Sequence, residues 1–269
     1  MSVSKEEVRA FWDAAACGEV YAEGAALEQR LERQRQLRYQ LEPYIFDFAR
    51  FSDGASRDVL EIGVGMGADH LEWANARPRT LTGIDLTSRA IELTHARLAA
   101  RRLSSDLRVA DAEDLPFADG SFDIVYSWGV LHHSPDTAKA VREVHRVLRP
   151  GGSARIMVYH KHSIVGYMLW LRYALLAGRP GRSLDDLYAH HLESPGTKAF
   201  TLDQVRGMFT AFTQVTARTQ LSFGDLLQGA VGQRHGGILL RAAKATWPRW
   251  LIRRLFGAHG LMALVEAVK

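Results

Sequence analysis

Several features that define whole classes of protein are scarce or missing in this sequence of 269 residues. Its single cysteine, Cys17, cannot form an internal disulfide bond, so we expect a reducing compartment, the cytoplasm. The first ten residues are polar and charged, and they lack the apolar core of a secretory signal peptide. The most apolar stretch, 162–178, is shorter than the ~20 residues that span a bilayer, and Arg172 interrupts it. We therefore predict a protein with no transmembrane segment.

The sequence also lacks a strong excess of charge of one sign. Its net charge of +4 is too small to indicate a nucleic-acid partner. The basic and aromatic segment 247–256 has two interpretations, a peripheral membrane contact or a short helix docked on the core, and we favour the second. The eleven histidines show no metal-ligand spacing, so we expect no metal.

A short apolar run followed by alternating glycines is the most informative local pattern. Residues 59–62 are typical of a buried strand, Gly63, Gly65 and Gly67 follow, and 68–76 has the composition of a helix. A strand, a glycine-rich turn and a helix begin a nucleotide-binding unit. The glycines alone leave two cofactor classes open, because Gly63, Gly65 and Ala68 also fit the dinucleotide pattern. Glu61 favours a cofactor that carries positive charge, since a carboxylate there repels a diphosphate.

Two acids follow later strands at the edge where such sheets bind ligands. Asp85 ends the predicted second strand, 80–86, at about the distance from the glycines expected for an acid that accepts from ribose hydroxyls. Asp111 follows the predicted third strand, 107–110, where it can accept from an adenine amino group.

Three further motifs, at 111–123 (DAEDLPFADGSFD), 125–133 (VYSWGVLHH) and 143–152 (EVHRVLRPGG), are more specific. Together with the glycine turn they resemble the core of the class I S-adenosylmethionine (SAM)-dependent methyltransferases. The resemblance covers about 59–159 and is closest to the group that includes ubiquinone/menaquinone-biosynthesis and natural-product enzymes. The dinucleotide-dependent oxidoreductase is disfavoured by these ordered motifs. A non-catalytic SAM-binding module remains the other alternative.

The resemblance implies a role for each cofactor-binding candidate. Glu61, Gly63, Gly65 and Gly67 would surround the amino-acid end of SAM, with Ser127 near its methionine part. The remaining contacts it implies are to the nucleoside, from Asp85 (ribose), Leu86 (beside the adenine), Asp111 and Ala112 (adenine edge). Independently, Tyr21 lies in a predicted loop, 17–21, and we expect it to cover the cofactor and offer its ring to the sulfonium.

The implied architecture is an α/β, Rossmann-like seven-stranded sheet with a helical N-terminal cap. We predict the cap at 1–50, where 27–41 reads as a helix with an apolar inner stripe, and the methyltransferase domain at 51–269. Strands are expected at 154–159, after a turn at 149–152, and at 214–221 and 261–268, the last antiparallel. The segments 160–212 and 223–257 then become helical insertions after strands 5 and 6 and the expected substrate cover.

Methyl transfer from SAM is a direct displacement that depends largely on holding two reactants in line. A base is needed only where the acceptor atom starts protonated. His132 and His133, after the fourth strand, are the candidates, because imidazole titrates near neutrality. The apolar residues of the first insertion favour a small hydrophobic or aromatic acceptor: Ile164, Tyr167, Met168, Leu169 and Trp170.

Overall fold

Seven strands form one mixed sheet at the centre of a computed structural model that describes residues 4–14, 19, 24, 26–228 and 244–269. The strands, in chain order, are β1 Asp58–Ile62, β2 Thr80–Asp85, β3 Asp106–Val109, β4 Phe122–Trp128, β5 Leu148–Tyr159, β6 Gln214–Gln220 and β7 Met262–Val268. Their order across the sheet is β3-β2-β1-β4-β5-β7-β6. The predicted seven-stranded α/β fold is confirmed.

Ten helices of the described residues surround the sheet. They are α1 Lys5–Ala14, α2 Leu27–Leu41, α3 Tyr44–Ala49, α4 Ala68–Asn75, α5 Ser88–Ala99, α6 Thr137–Val147, α7 Ile164–Trp170, α8 Leu184–His191, α9 Leu202–Met208 and α10 Arg249–Leu255. One turn of π-helix, Leu171–Leu175, extends α7, and short 3-10 turns lie at Phe51–Gly54, Leu131–His133 and Gly257–His259. No helix in these ranges is long and apolar enough to cross a membrane.

The pairing of the strands explains the apolar run before the glycines. β1 lies between β2 and β4, both parallel to it, and all five of its residues are buried. A parallel strand that helices cover on both faces requires continuous burial rather than alternation. At the other end of the sheet, β7 runs antiparallel to both β5 and β6, as predicted for the last strand.

The predicted turn at 149–152 is corrected by the structure, which places these residues inside β5. Phe122 pairs with Leu148 and Ile124 pairs with Ser153, so four residues of β5 face the single residue Asp123 of β4. The extra residues form a bulge, and Gly151 takes a φ of 77° within it. The bulge lies at the edge of the sheet opposite the glycine turn.

The N-terminal helix α2 docks through polar contacts, and the apolar stripe predicted for it is wrong. Only Leu31 and Gln34 of α2 are buried. Arg38 donates two hydrogen bonds to Asp69 of α4, at 2.9 and 2.6 Å. From the core side, the buried Arg97 of α5 donates to two acceptors on α2, the carbonyl of Leu31 and Gln34 Oε1, at 2.9 and 2.8 Å. Buried guanidinium groups therefore tie the helix to the core.

Candidate functional site

A cavity opens at the carboxyl ends of β1, β2 and β4, where open α/β sheets bind ligands. Its lining comes from the glycine turn, the loops after three strands and helix α1: Gly63, Gly65, Asp85, Leu86, Thr87, Ala110, Asp111, Ala112, Trp128, Gly129, Val130, His133, Ser134, Pro135, Lys5, Val8 and Trp12, together with Ile62, Ile84 and Ala90. Seven residues singled out from the sequence therefore meet in one place.

The three glycines of the turn have two different tasks. Gly63 has a φ of 82° and no room for a side chain, because a Cβ would lie 2.1 Å from a methyl group of Val130. At Gly65, φ is 52° and a Cβ would meet no atom within 4 Å, so the main chain there borders open space. Gly67 does not line the cavity. A Cβ on it would lie 2.7 Å from Thr94 Oγ1, so this glycine permits the close approach of α4 and α5.

Asp85 connects the end of β2 to the glycine turn. Its Oδ2 accepts a hydrogen bond from the Gly65 amide at 3.1 Å, and Oδ1 accepts from the amide and hydroxyl of Thr87 at 3.0 and 2.9 Å. Burial raises the pKa of Asp85. These contacts fix the orientation of the carboxylate at the cavity wall. Leu86 follows directly and contributes an apolar wall.

Asp111 is already bound by a cation from the N-terminal helix. Lys5 Nζ lies 2.5 Å from Asp111 Oδ2 and 2.8 Å from Glu113 Oε2. The second oxygen of Asp111 accepts from the Glu113 amide at 2.9 Å. Ala112, which also lines the cavity, completes the predicted adenine edge. Lys5 gave no signal in the sequence, because a lone lysine in a charged helix resembles many solvated ones.

Glu61 does not lie where the sequence placed it. Its side chain is buried, does not line the cavity, and lies 2.9 Å from Nδ1 of buried His70. His70 Nε2 lies 2.8 Å from Ser105 Oγ, which donates its proton to the Leu81 carbonyl at 2.8 Å. Ser105 therefore accepts from His70 Nε2–H. A neutral His70 ring then carries its lone pair on Nδ1, where it accepts from a protonated Glu61.

Burial also favours the neutral form of both partners. It raises the pKa of Glu61 well above its usual range and lowers the pKa of His70 to about 3. The predicted attraction between an ionised Glu61 and a cationic cofactor therefore does not operate in this structure. The motif's acid acts instead on the packing of β1 against α4.

Ser127 also differs from its predicted position. Ser127 is fully buried, donates to the Ile62 carbonyl at 3.0 Å, and does not line the cavity. Its hydroxyl joins β4 to β1. Tyr21 lies outside the described residues. Helix α1 provides the cover that the sequence assigned to the loop around Tyr21, through Val8 and Trp12. Of the described residues in the two insertions, none lines the cavity.

The two candidate bases occupy different environments. His132 is fully buried, does not line the cavity, and stacks on Tyr159 with ring centroids 4.0 Å apart. Burial lowers its pKa well below the usual value. His133 does line the cavity, and its ring lies 5.3 Å from that of Trp12. Only His133 is therefore placed to reach a ligand.

A loop of the first insertion contacts the His133 ring with residues that do not line the cavity. Nδ1 of His133 lies 2.8 Å from Ser194 Oγ and 3.2 Å from Thr197 Oγ1, and Nε2 lies 3.5 Å from Glu193 Oε2. This loop, 193–198 (ESPGTK), is rich in turn residues, which by themselves indicate no contact with His133. Its contact with His133 comes from tertiary structure that no local pattern encodes.

Comparison with known proteins finds similarity in the central part of the chain. Residues 60–156 match the methyltransferase domain family. A 27-O-demethylrifamycin SV methyltransferase of Amycolatopsis mediterranei is 40% identical over 98 residues, which are 35% of this chain and 35% of that protein. The ubiquinone/menaquinone biosynthesis C-methyltransferase UbiE of Geotalea daltonii is 35% identical over 105 residues, 38% of this chain and 45% of the relative. This chain thus spans less than half the length of either relative.

The fold is shared over a larger part of the chain. A SAM-dependent methyltransferase of Methanosarcina mazei, of known crystal structure, superposes with a TM-score of 0.53 at 20% identity, covering 84% of this chain and 97% of that one. The family match falls on β1 to β5, which include the strands whose carboxyl ends border the cavity. Residues 60–156 are therefore similar to a methyltransferase domain, and the fold around them is one shared with a SAM-dependent methyltransferase.

Proposed function

We propose that this protein binds SAM in the cavity and transfers its methyl group to a small hydrophobic or aromatic organic molecule in the cytoplasm. The observation that carries the proposal is the convergence of Gly65, Asp85 and Asp111 on one cavity. In the proposed pose the ribose hydroxyls reach Asp85, the adenine lies between Leu86 and Ala112, and the amino-acid end crosses the exposed main chain of Gly63 and Gly65.

The charges of the cavity favour SAM over a dinucleotide. Among the described lining residues the acids are Asp85 and Asp111, and the single lysine or arginine, Lys5, is already paired with Asp111. A diphosphate would enter with two negative charges and meet no free cation. SAM carries an ammonium and a sulfonium, so a cavity with unneutralised carboxylate charge suits it.

Aromatic and apolar side chains also line the cavity. Trp12, Trp128 and Val130 line it together with His133. Indole rings offer their faces to an aromatic acceptor and to the sulfonium of the cofactor. The two relatives, a 27-O-demethylrifamycin SV methyltransferase and a ubiquinone/menaquinone biosynthesis C-methyltransferase, agree by name with an organic acceptor of this kind.

The reaction that this arrangement supports is an in-line displacement. The acceptor atom forms a bond to the methyl carbon as the sulfur–carbon bond breaks, and the bonding electrons return to sulfur. Alignment of the two reactants supplies most of the acceleration. Where the acceptor is a hydroxyl, its proton passes to Nε2 of His133. His132, which does not line the cavity, has no direct part in this proposal.

Calorimetric titration of the protein with SAM, NAD and NADP tests the cofactor assignment. We expect SAM to bind and both dinucleotides to fail at the same concentrations. Incubation with deuterated-methyl SAM and a panel of phenols, quinols and hydrophobic amines then tests the transfer, with mass spectrometry detecting the labelled product. Binding of a dinucleotide in place of SAM would contradict the proposal. Binding of SAM without transfer to any acceptor would instead support a non-catalytic SAM-binding module.

A further inference from the structure

We propose that His132, His133 and Glu193 bind a divalent transition-metal ion beside the cofactor cavity. One ligand atom from each of these residues lies within 4.8 Å of the others. The sequence gave no sign of this group, because two ligands follow β4 and the third belongs to the loop after α8. It is the fold that brings two imidazoles and a carboxylate together.

Unpartnered nitrogen atoms are the first reason for the proposal. Both ring nitrogens of His132 are buried without a hydrogen-bond partner, and so is Nε2 of His133. A buried polar atom left without a partner destabilises the folded protein. An ion bound here would satisfy one nitrogen of each of the two adjacent imidazoles.

The second reason is the position of the proton on His133. Thr197 Oγ1 donates its only proton to the Ser194 carbonyl, at 2.7 Å, so toward the imidazole it can only accept. This arrangement favours the proton on Nδ1 of His133, from which the Ser194 and Thr197 hydroxyls both accept. The Nε2 atom then carries a lone pair that faces the Glu193 carboxylate at 3.5 Å. Two acceptors this close repel each other unless a proton or a metal ion lies between them, and the proposed site places the metal ion there.

The surroundings of the three ligands resemble the support that metal sites have. Nδ1 of His133 is bonded by hydroxyl groups, which fixes the ring and leaves Nε2 free for the ion. The hydroxyl of Tyr159 donates to Glu193 Oε2 at 2.8 Å and orients that carboxylate. Such outer hydrogen bonds to metal-ligating histidine and carboxylate groups are a regular part of metal sites.

The ligand set indicates the class of ion and a coordination position left open. Two imidazoles and one carboxylate suit Zn²⁺ or Fe²⁺ better than Mg²⁺ or Ca²⁺, which prefer oxygen. Three protein ligands leave at least one position for a water or a substrate. His133 also lines the cavity, so the proposed ion would lie close to the cavity wall.

The chemical consequence rests on the proposed methyl transfer. An ion at this position would lower the pKa of a bound acceptor hydroxyl and release its proton to solvent. The lone pair of His133 would then be committed to the ion. The role of that nitrogen as proton acceptor therefore belongs to the ion-free protein alone.

Titration of metal-stripped protein with Co²⁺, followed by visible absorption, and with Zn²⁺, followed by calorimetry, tests the site itself. We expect one ion per chain and a Co²⁺ spectrum typical of low coordination number. Glu193→Gln and His132→Ala should weaken binding by at least ~100-fold. The Ser194→Ala variant, which loses only an outer hydrogen bond, should weaken it about 10-fold. The matched control is His190→Ala, an exposed histidine of α8 outside the cluster, which should bind both ions like the wild type.

SAM affinity, measured in the same variants, separates the two proposals. Unchanged SAM binding shows that each variant is folded. If the wild type does not bind SAM, the proposed function is refuted, whereas the metal proposal still depends only on the Co²⁺ and Zn²⁺ titrations. Absence of Co²⁺ and Zn²⁺ binding by the wild type, or equal binding by Glu193→Gln, would overturn the metal proposal. A nitrogen-15 spectrum showing His133 doubly protonated would identify a proton as the cation between the two groups, and would overturn it as well.

Discussion

Glu61 donates a hydrogen bond to His70 across 2.9 Å of buried protein, as a neutral acid to a neutral imidazole. This pair lies directly beneath the glycine turn, with one partner at the end of β1 and the other in α4. The acid of the motif is thus part of the frame that holds the turn. The contribution of this pair to the free energy of unfolding should decrease as the pH rises.

Replacement of Glu61 by glutamine should change the pH dependence of stability. The pKa of Glu61 is raised in the folded state, so its contribution is complete below the usual glutamate pKa of 4.5 and is lost as the pH rises above it. Glutamine keeps a donor for His70 and does not titrate. We expect Glu61→Gln to gain stability relative to wild type above about pH 4.5, by up to ~1.4 kcal/mol per pH unit.

Denaturant unfolding at several pH values between 4 and 8 measures this difference. Glu28→Gln, at an exposed position of α2, controls for the change in net charge. A difference between wild type and Glu61→Gln that stays constant with pH would show that Glu61 is ionised in the folded protein. SAM affinity of Glu61→Gln should remain close to that of the wild type, because the side chain does not line the cavity.

Asp85→Asn should weaken SAM binding about 10- to 100-fold, because a hydrogen bond from ribose to a charged acceptor is replaced by one to a neutral amide. Calorimetry gives the affinity, and thermal unfolding reports any loss of fold. Thr87→Val is the comparison. It removes two things: the hydrogen bond from the Thr87 hydroxyl to Asp85, and the side-chain cap of α5. The carboxylate of Asp85 remains. The effect of Thr87→Val on affinity should be several-fold smaller, and equal losses in both variants would point to loop geometry rather than ribose binding.

Trp12→Ala should increase the rate of SAM release, since it opens the cover that α1 forms over the cavity. Stopped-flow displacement of bound SAM gives this rate directly. Phe11 is the neighbouring aromatic residue and packs edge-on against Trp12 at 5.0 Å, yet it does not line the cavity. We expect Phe11→Ala to leave the release rate within about twofold of the wild type. A larger increase in the release rate for Phe11→Ala than for Trp12→Ala would show that the side of α1 carrying Phe11 retains the cofactor.

Lys5→Met should loosen the same helix from its other end by removing the contacts to Asp111 and Glu113. Lys5 is partly exposed, so the effect is that of a surface ion pair, roughly 0.2–1 kcal/mol, or up to about fivefold in SAM affinity. The effect should shrink in high salt. If Lys5 instead competes with adenine for Asp111, Lys5→Met will bind SAM more tightly than the wild type, and calorimetry distinguishes the two signs.

The sequence predicted the sheet well because its signals are local and repeated. Apolar runs, glycines and acids at the ends of strands recur with regular spacing, and the structure confirms the seven strands they imply. At the site, seven of the predicted residues line one cavity. Glu61 and Ser127 were predicted to contact the cofactor but do not line the cavity. A strand residue faces one side of the sheet or the other, and the identity of a single residue does not show which.

The contacts of α1 and of the loop at 193–198 were beyond the reach of sequence reasoning. Lys5 finds Asp111, and Ser194 finds His133, across long stretches of chain. No regular sequence separation, such as that between residues on one face of a helix, predicts either pair. The arginine-rich helix α2 was misread for a related reason, since its charges resemble a solvated surface until the buried acceptors on α4 are known.

The contacts of Arg97 set a limit on how this protein can be recombined with its relatives. Its guanidinium group, 1% exposed, donates to the carbonyls of Met66 and Leu31 and to Gln34 Oε1, so α2 supplies two of these acceptors. A chimera that replaces α2 would leave a buried charge short of acceptors, at a cost of several kcal/mol. The workable junction for exchanging N-terminal segments therefore lies before Leu27, and α1 becomes the piece that can be swapped to alter what enters the cavity.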